Sequence, residues 1–282
     1  MRQKRVAAVH DISCFGKCSL TVALPILSAA GIETSVIPTA VLSTHTGGFT
    51  EYTFRDLTQD ILPISRHWKS LAIDFDALYT GYLGSYEQLE IVSQFFDDFG
   101  KKDNIIFVDP VMADNGKLYS SFSADFPEGM RKLCRKADII TPNLTEAALL
   151  LDAPYNPGPY TKEYIENILR SLSDLGPGQV VITGVSFGVN QLGAAVYDKK
   201  SDQISYAFAN RVDGYYHGTG DVFASAFLSA MLNGFDLPDC ARIAVEFTAE
   251  SINRTRQADT DLRYGVNFEN SIPNLIRHLK LM

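Results

Sequence analysis

Tyr216-His217-Gly218-Thr219-Gly220-Asp221-Val222-Phe223-Ala224-Ser225-Ala226-Phe227 decides how this chain is read: two glycines and an aspartate open a stretch that is apolar on almost every side. A helix hydrophobic all round is a buried one, so its start lies deep in the molecule. The first N–H groups of a helix have no partner within it and carry partial positive charge, which makes such an end a receptor for anions. Gly218 and Gly220 remove side chains that would hold a phosphate away from the backbone. Asp221 then stands beside that anion, and two readings of it are open. Either it accepts the proton of a hydroxyl that attacks phosphorus, or it does no more than cap the helix, as aspartate commonly does.

Outward from this stretch the chain alternates. Val6 to Ile12, Thr34 to Leu42, Ala77 to Gly84, Asn104 to Val108, Asp138 to Asn143 and Gln179 to Thr183 read as strands. Between them, Cys18 to Ala30 (kinked at Pro25), Thr53 to Ser70 (broken near Pro63), Glu87 to Phe99, Glu128 to Arg135, Leu144 to Leu151 and Lys162 to Leu175 read as helices. Ala113 to Ser123 lacks apolar periodicity and is expected to be a mobile loop. Gly193 to Asp198 and Gln203 to Asn210 are placed as a hairpin, and helices are expected from about Pro238 to Arg256 and from Ser271 onward. Strands alternating with helical crossovers imply an α/β fold with a mostly parallel central sheet and helices on both faces. The alternation resumes directly after the proline-bearing stretch from Pro154 to Tyr160, so residues 1–282 are expected to form a single domain.

Composition narrows the class. With 282 residues, 46% of them hydrophobic, the chain has enough apolar side chains for a large core. No run approaches the roughly 20 apolar residues of a membrane span. His10-Asp11 interrupts the apolar N-terminal run before it could serve as a signal core, so a soluble cytoplasmic protein is expected. A formal charge of -8 argues against a nucleic-acid partner. Cys14, Cys18, Cys134 and Cys240 are scattered without a CxxC pair and read as reduced thiols.

In an open parallel sheet, ligands bind beyond the carboxyl ends of the strands. Asp11 with Ser13, His45 with Thr46, Tyr82, Asp109, Asn143, Thr183 and Asp221 all fall at or just past such ends. Asp109 and Asp114, across a proline bend, suit a hydrated Mg²⁺; equally, Asp109 would accept loop N–H bonds while Asp114 is solvated. Asn143 followed three residues later by Glu146 is close to a capping box, which leaves Glu146 free to face a metal-bound water as well. Cys14-Phe15-Gly16-Lys17 lacks the GxxxxGK[ST] spacing of a P-loop, and Gly218-x-Gly220 lacks the third glycine of a dinucleotide fingerprint. The protein-kinase set of HRD with DFG is not present, and HExxH is absent. His67, His217 and His278 are dispersed and receive no role, whereas His10 lies close to the candidate crevice.

Asp109-Pro110-Val111-Met112, Thr141-Pro142-Asn143-x-x-Glu146 and Gly218-Thr219-Gly220-Asp221, in that order, resemble the ribokinase superfamily. Ser43-Thr44-His45-Thr46-Gly47 and Thr80-Gly81-Tyr82-Leu83-Gly84-Ser85 resemble its pyridoxal/pyridoxamine (vitamin B6) kinase branch, and the similarity runs from about Val6 to beyond Leu232. The resemblance implies a ribokinase-like three-layer sandwich and transfer of the ATP γ-phosphoryl group to the 5′-hydroxyl of a pyridoxine-type ring. By it, Asp221 is the base and Gly218, Thr219 and Gly220 form the anion hole. Asp109, Asn143 and Glu146 face Mg²⁺ and the phosphates, with Thr141 in the metal set and Asp114 on a loop that closes over ATP. Thr183 and Gly184 meet the nucleotide phosphates, and Val212, Asp213 and Gly214 its adenosine end. His10, Thr46 and Tyr82 hold the acceptor ring, with Asp11 and His45 in the same set. The resemblance also implies Mg²⁺ with ATP, often K⁺, and a homodimer.

Two positions depart from that pattern. His10-Asp11 stands where many pyridoxal kinases have Ser-His, and an aspartate there is closer to the hydroxymethylpyrimidine and sugar kinases of the superfamily. Gly184 replaces a larger residue. The acceptor is therefore expected to be a B6 vitamer, with hydroxymethylpyrimidine or a sugar as the alternative. The intact Asp221 speaks against a non-catalytic ligand-binding homologue.

Overall fold

The computed structural model describes residues 2–282. Its strands are β1 (Arg5–Ser13), β2 (Glu33–Leu42), β3 (Phe54–Asp56), β4 (Ala77–Thr80), β5 (Ile105–Val108), β6 (Ala113–Asp114), β7 (Lys117–Leu118), β8 (Ile139–Ile140), β9 (Gln179–Val185), β10 (Gln191–Asp198) and β11 (Gln203–Asn210). Its helices are α1 (Leu20–Ala29), α2 (Thr58–Ser70), α3 (Tyr86–Phe99), α4 (Phe126–Cys134), α5 (Leu144–Leu150), α6 (Lys162–Asp174), α7 (Thr219–Leu232), α8 (Leu237–Gln257) and α9 (Ile272–His278). One nine-stranded sheet has the order β11-β10-β9-β8-β5-β4-β1-β2-β3. The six strands from β9 to β2 in that order are parallel, and β10, β11 and β3 add antiparallel edges.

Successive strand residues point to opposite faces, and here both faces are apolar. Val6, Tyr79, Phe107, Ile139 and Val181 pack against α1, α7, α8 and α9. Their neighbours Ala7, Leu78, Val108, Ile140 and Ile182 pack against α2 to α6. This double burial explains the unbroken apolar strands and makes three layers. α7 is buried from Val222 to Ala230, and its alanines and serines admit the close approach of α1 and α8.

Several expectations are corrected. Phe54–Asp56 is an edge strand rather than the start of a helix, and α2 runs unbroken through Pro63. The strand expected over Ala77–Gly84 stops at Thr80, and the one over Asp138–Asn143 shrinks to Ile139–Ile140. The loop expected over Ala113–Ser123 begins with the β6-β7 hairpin, turned by Asn115 (φ 51) and Gly116 (φ 76). Paired positive φ values are those of a type I′ turn, for which Asn-Gly is the favoured sequence. Past Ser271 the last helix ends at His278.

The sheet order reverses at β1: its following strand β2 lies on one side and β4 on the other. Such a switch point opens a crevice at the strands' carboxyl ends. Asp11 and Ser13, at the end of β1, and Gly81-Tyr82, beyond β4, border it.

Candidate active site

Gly218 precedes α7 in the left-handed conformation (φ 76), and no side chain caps the helix. A Cβ there would overlap the carbonyl oxygen of Lys17, so the close approach of the loop before α1 requires glycine. Asp221 does not cap. Its Oδ2 accepts the N–H of Ser19 at 2.8 Å, across from another element. The amides of the first turn therefore stay without a side-chain partner, the condition for an anion site. Although Asp221 keeps some exposure, the protein around its carboxylate pushes it up to about 7, the Ser19 N–H opposing and Asp11 adding to the rise. A carboxylate poised near neutrality suits general-base work.

On the acceptor side, Asp11 is 5% exposed and its Oδ1 has no hydrogen-bond partner. Burial pushes it up to about 6. His10 is buried with both ring nitrogens unpartnered; its ring sits edge-on to Tyr79 at 4.5 Å, and burial lowers it to about 3, so it is a neutral imidazole. A Cβ at Gly81 would lie 2.6 Å from that ring, which accounts for the glycine after β4. Tyr82 is half-buried near Asp11, with its hydroxyl 3.4 Å from Ser121 Oγ.

His45, expected to hold the acceptor, spends both ring nitrogens within the protein. Nδ1 accepts the Gly47 N–H (3.1 Å), so the ring's proton is on Nε2, which donates to the Arg263 carbonyl (2.6 Å). The ring ties the loop after β2 to the C-terminal segment. Thr46 is exposed at the loop tip.

On the phosphate side, a Cβ at Gly220 would stand 4.0 Å from Asp109 Oδ2, so Asp109 faces the start of α7. Burial, with Glu146 and Asp221 nearby, holds Asp109 well above the carboxylate range. Asn143 and Glu146 form a complete capping box on α5. Asn143 Oδ1 accepts the N–H groups of Thr145 (2.8 Å) and Glu146 (2.9 Å), and Glu146 Oε2 accepts that of Asn143 (2.8 Å). Glu146 Oε1 accepts the Met112 N–H at 3.0 Å, and Asn143 Nδ2 donates to Ala113 O at 2.8 Å. Despite these donors, burial pushes Glu146 up to about 8. Thr141 Oγ1 is buried beside Asp109, and its hydroxyl opposes the rise of that carboxyl.

Asp114 is occupied locally, accepting the Asn115 N–H at 2.8 Å, while its charge reaches Tyr215 and His217. Among the described residues no three His, Cys, Asp or Glu side chains gather as a metal cage. Thr183 lies beside Asn143 and donates its N–H to Pro142 O at 3.0 Å. Gly184 (φ 75) is the extra residue of a bulge in β9, since Val185 pairs with Gly193 and Thr183 with Ala194. Its departure from a larger residue thus has a backbone cause. Val212, Asp213 and Gly214 form the loop after β11, with the Asp213 side chain almost wholly exposed.

Three contributors escaped sequence reading. Ser19 adopts φ 53, ψ -126 to aim its N–H at Asp221, strain of the sort found at functional sites. Its one signal was a serine directly before an apolar helix. His217, given no role, packs against Gly47 and lies 5.2 Å from the His45 ring. Cys18 lies against the same helix start, and burial beside Asp221 and Asp11 keeps it a thiol. Nothing local marked either.

The phosphomethylpyrimidine kinase family model matches residues 25–265. A Bacteroides thetaiotaomicron protein provisionally described as a phosphomethylpyrimidine kinase, crystallised with pyridoxal, superposes with a TM-score of 0.93 at 41% identity, over 97% of this chain and 96% of that one. The pyridoxal kinase of Lactobacillus plantarum superposes with a TM-score of 0.89 at 32% identity, over 98% of each chain. A bifunctional thiamine biosynthetic enzyme of Arabidopsis thaliana is 26% identical over 238 residues, 83% of this chain and 43% of that protein. This chain thus spans less than half the length of that relative. The match over most of the sequence, on a three-layer fold whose switch-point crevice holds an uncapped helix start, gives the conclusion: the chain belongs to the phosphomethylpyrimidine kinase family of ribokinase-like enzymes.

Proposed function

We propose that this protein transfers the γ-phosphoryl group of ATP to the 5′-hydroxymethyl oxygen of B6 vitamers: pyridoxal, pyridoxine and pyridoxamine. The observation that carries the reading is the start of α7, where Asp221 is held by Ser19 and the helix amides are left open. In it Asp221 takes the hydroxyl proton, the oxygen attacks the γ-phosphorus, and the bond to the β-phosphate oxygen breaks, releasing ADP. The amides around Gly218, Thr219 and Gly220 hold the charge spread over the phosphoryl oxygens. Thr183, Gly184 and the loop of Val212, Asp213 and Gly214 serve the nucleotide, and His10, Asp11 and Tyr82 the acceptor ring. The relatives named for pyridoxal kinase, and the one crystallised with pyridoxal, support this acceptor.

A divalent cation fits the phosphate side. Burial raises the proton affinity of Asp109, Glu146 and Asp221, and the charges of Glu146 and Asp221 add to the rise at Asp109. Mg²⁺ is the metal of this reading; bound to the phosphates, it would neutralise their charge, held by Asp109 and, through water, by Glu146, Thr141 and Asp114. The same reading carries a K⁺ requirement, a homodimer and a cytoplasmic location as one domain over residues 1–282. Among the described residues, no helix is long and apolar enough to cross a membrane.

The test is formation of phosphorylated product and ADP with Mg²⁺-ATP across the three vitamers, the aminopyrimidine alcohol 4-amino-5-hydroxymethyl-2-methylpyrimidine and a sugar panel, with Asp221→Asn alongside. Turnover with a non-B6 acceptor alone replaces the acceptor, and tight binding without product from any acceptor makes the chain a binding protein.

A further inference from the structure

Asp11 is a site carboxylate that neither the fold nor the phosphoryl transfer proposed above accounts for. Asp221 accepts the Ser19 N–H, and Glu146 accepts two backbone N–H groups. Asp11, 5% exposed, has an Oδ1 without a hydrogen-bond partner, and the nearby Ser19 and Ser13 hydroxyls only partly offset the effect of its burial. Lys17, in the loop beyond it, is committed to Glu269 (3.0 Å) and Asn267 (2.7 Å). A carboxylate in such a place is costly unless a partner arrives to pair with it.

Its surroundings say where that partner sits. Asp11 lies near the end of β1 at the switch point, with Tyr82 near it on the acceptor side and Cys18 and Asp221 on the other. Ser19 bridges Ile12 through its backbone and holds Asp221 with its N–H, setting the two carboxylates in one crevice. In the kinase reading the acceptor ring lies on this side, where Tyr82 stands near Asp11.

Resting on the kinase reading above, we propose that Asp11 is a specificity-determining residue that selects acceptors carrying an N–H donor on the ring, either a protonated ring nitrogen or an exocyclic amine. The two carboxylates then divide the acceptor: Asp221 takes the hydroxymethyl proton, and Asp11 pairs with the ring's donor. A pyridine satisfies Asp11 once its nitrogen is protonated, and an aminopyrimidine satisfies it through its amine. A ring of the same shape with C–H at that position leaves Asp11 ionised and unpaired.

The experiment is calorimetric titration of the full-length protein, without ATP, with pyridoxine, with its carbocyclic analogue in which C–H replaces the ring nitrogen, and with 4-amino-5-hydroxymethyl-2-methylpyrimidine. The wild type should prefer pyridoxine, the aminopyrimidine or both over the analogue by at least about tenfold, the scale of a hydrogen bond to a charged group. Asp11→Asn, or Asp11→Ser if the first does not fold, should bring that preference to within about threefold, chiefly through lost affinity for the donor-bearing rings. Which donor-bearing ring shows the larger loss identifies the donor. Equal binding or no binding of all three to the wild type, or an equal loss for all three in the variant, overturns the proposal. Turnover with Mg²⁺-ATP is measured separately. Its absence with every acceptor removes the kinase reading, whereas the titrations still decide the role of Asp11.

Discussion

Two helix starts face the same crevice, and their sequences look alike: Gly218-x-x-Asp221 before α7 and Asn143-x-x-Glu146 before α5. Each has an acid three residues after its cap, the spacing of a capping box. At α5 the box closes, with Asn143 and Glu146 serving each other's backbone. At α7 it cannot close, because Gly218 offers no side chain and Asp221 is drawn to the Ser19 N–H. One end is satisfied by its own residues and stays rigid. The other keeps its amides for a ligand and its acid for a proton. The same spacing yields a structural element or a reactive one according to where the acid's second partner lies.

The strongest attempt to break this contrast removes the acid from the open end. Asp221→Asn keeps shape and volume but cannot take a proton, so turnover should fall by about 10²-fold or more while nucleotide affinity holds. Steady-state rates with calorimetry for ATP check it; a loss under tenfold would give Asp221 the role of a mere anchor. Gly218→Ala comes next. It forces a left-handed φ on alanine, costing about 1–2 kcal/mol, and meets the Lys17 carbonyl as well. Thermal melting should show a lowered Tm, and turnover should drop because the loop before α1 is pushed off the anion site.

Asn143→Ala sharpens the contrast from the other side. Losing a cap costs about 1 kcal/mol, which in a domain of this size lowers Tm by roughly 2–4 °C. Turnover should fall less than tenfold, because Asn143 works on its own helix. A turnover loss as deep as that of Asp221→Asn would mean that the closed end is catalytic too.

The layers were legible in the sequence because they follow from apolar period alone. Ile105 to Val108 and Gln179 to Ile182 can be covered only by helices on both sides. The capping box was equally legible, since its partners are three residues apart. Hairpin β6-β7 carried a readable sign in Asn115-Gly116, outweighed by the lack of apolar alternation around it. Ser19 and His45 were another matter. The bond from Ser19 to Asp221 spans 202 positions and that from His45 to Arg263 spans 218. No local pattern announces which backbone group a side chain will find across the molecule. His45 could be placed at the site by motif, but its commitment to protein partners appears only when the C-terminal segment is folded against it.

The smallest effect separates the two ends by their charge. Asp11 at the open end and Glu146 at the closed end are both carboxyls whose folded-state affinity for a proton is raised by burial, to about 6 and about 8. An unfolded carboxyl titrates near 4. Between that value and the folded one, the folded chain binds more protons than the unfolded chain, so stability falls as pH rises through the window. For Asp11 the window runs from about 4 to 6, and the full penalty is present above it. Asp11→Asn removes that penalty without removing a bond from Oδ1, which has no partner to lose. Its Tm should therefore exceed the wild type's at pH 8 by roughly 2–4 °C, and the gain should vanish near pH 4. Glu146→Gln also escapes a charge, but it puts an amide donor against the N–H of Met112 or Asn143. At the closed end the lost acceptor outweighs the relieved charge, and Tm should fall at both pH values. Melting curves of the two variants at pH 4.5 and 8 decide the matter: parallel behaviour would mean that both carboxylates are held alike, and that the open end is open only to the eye.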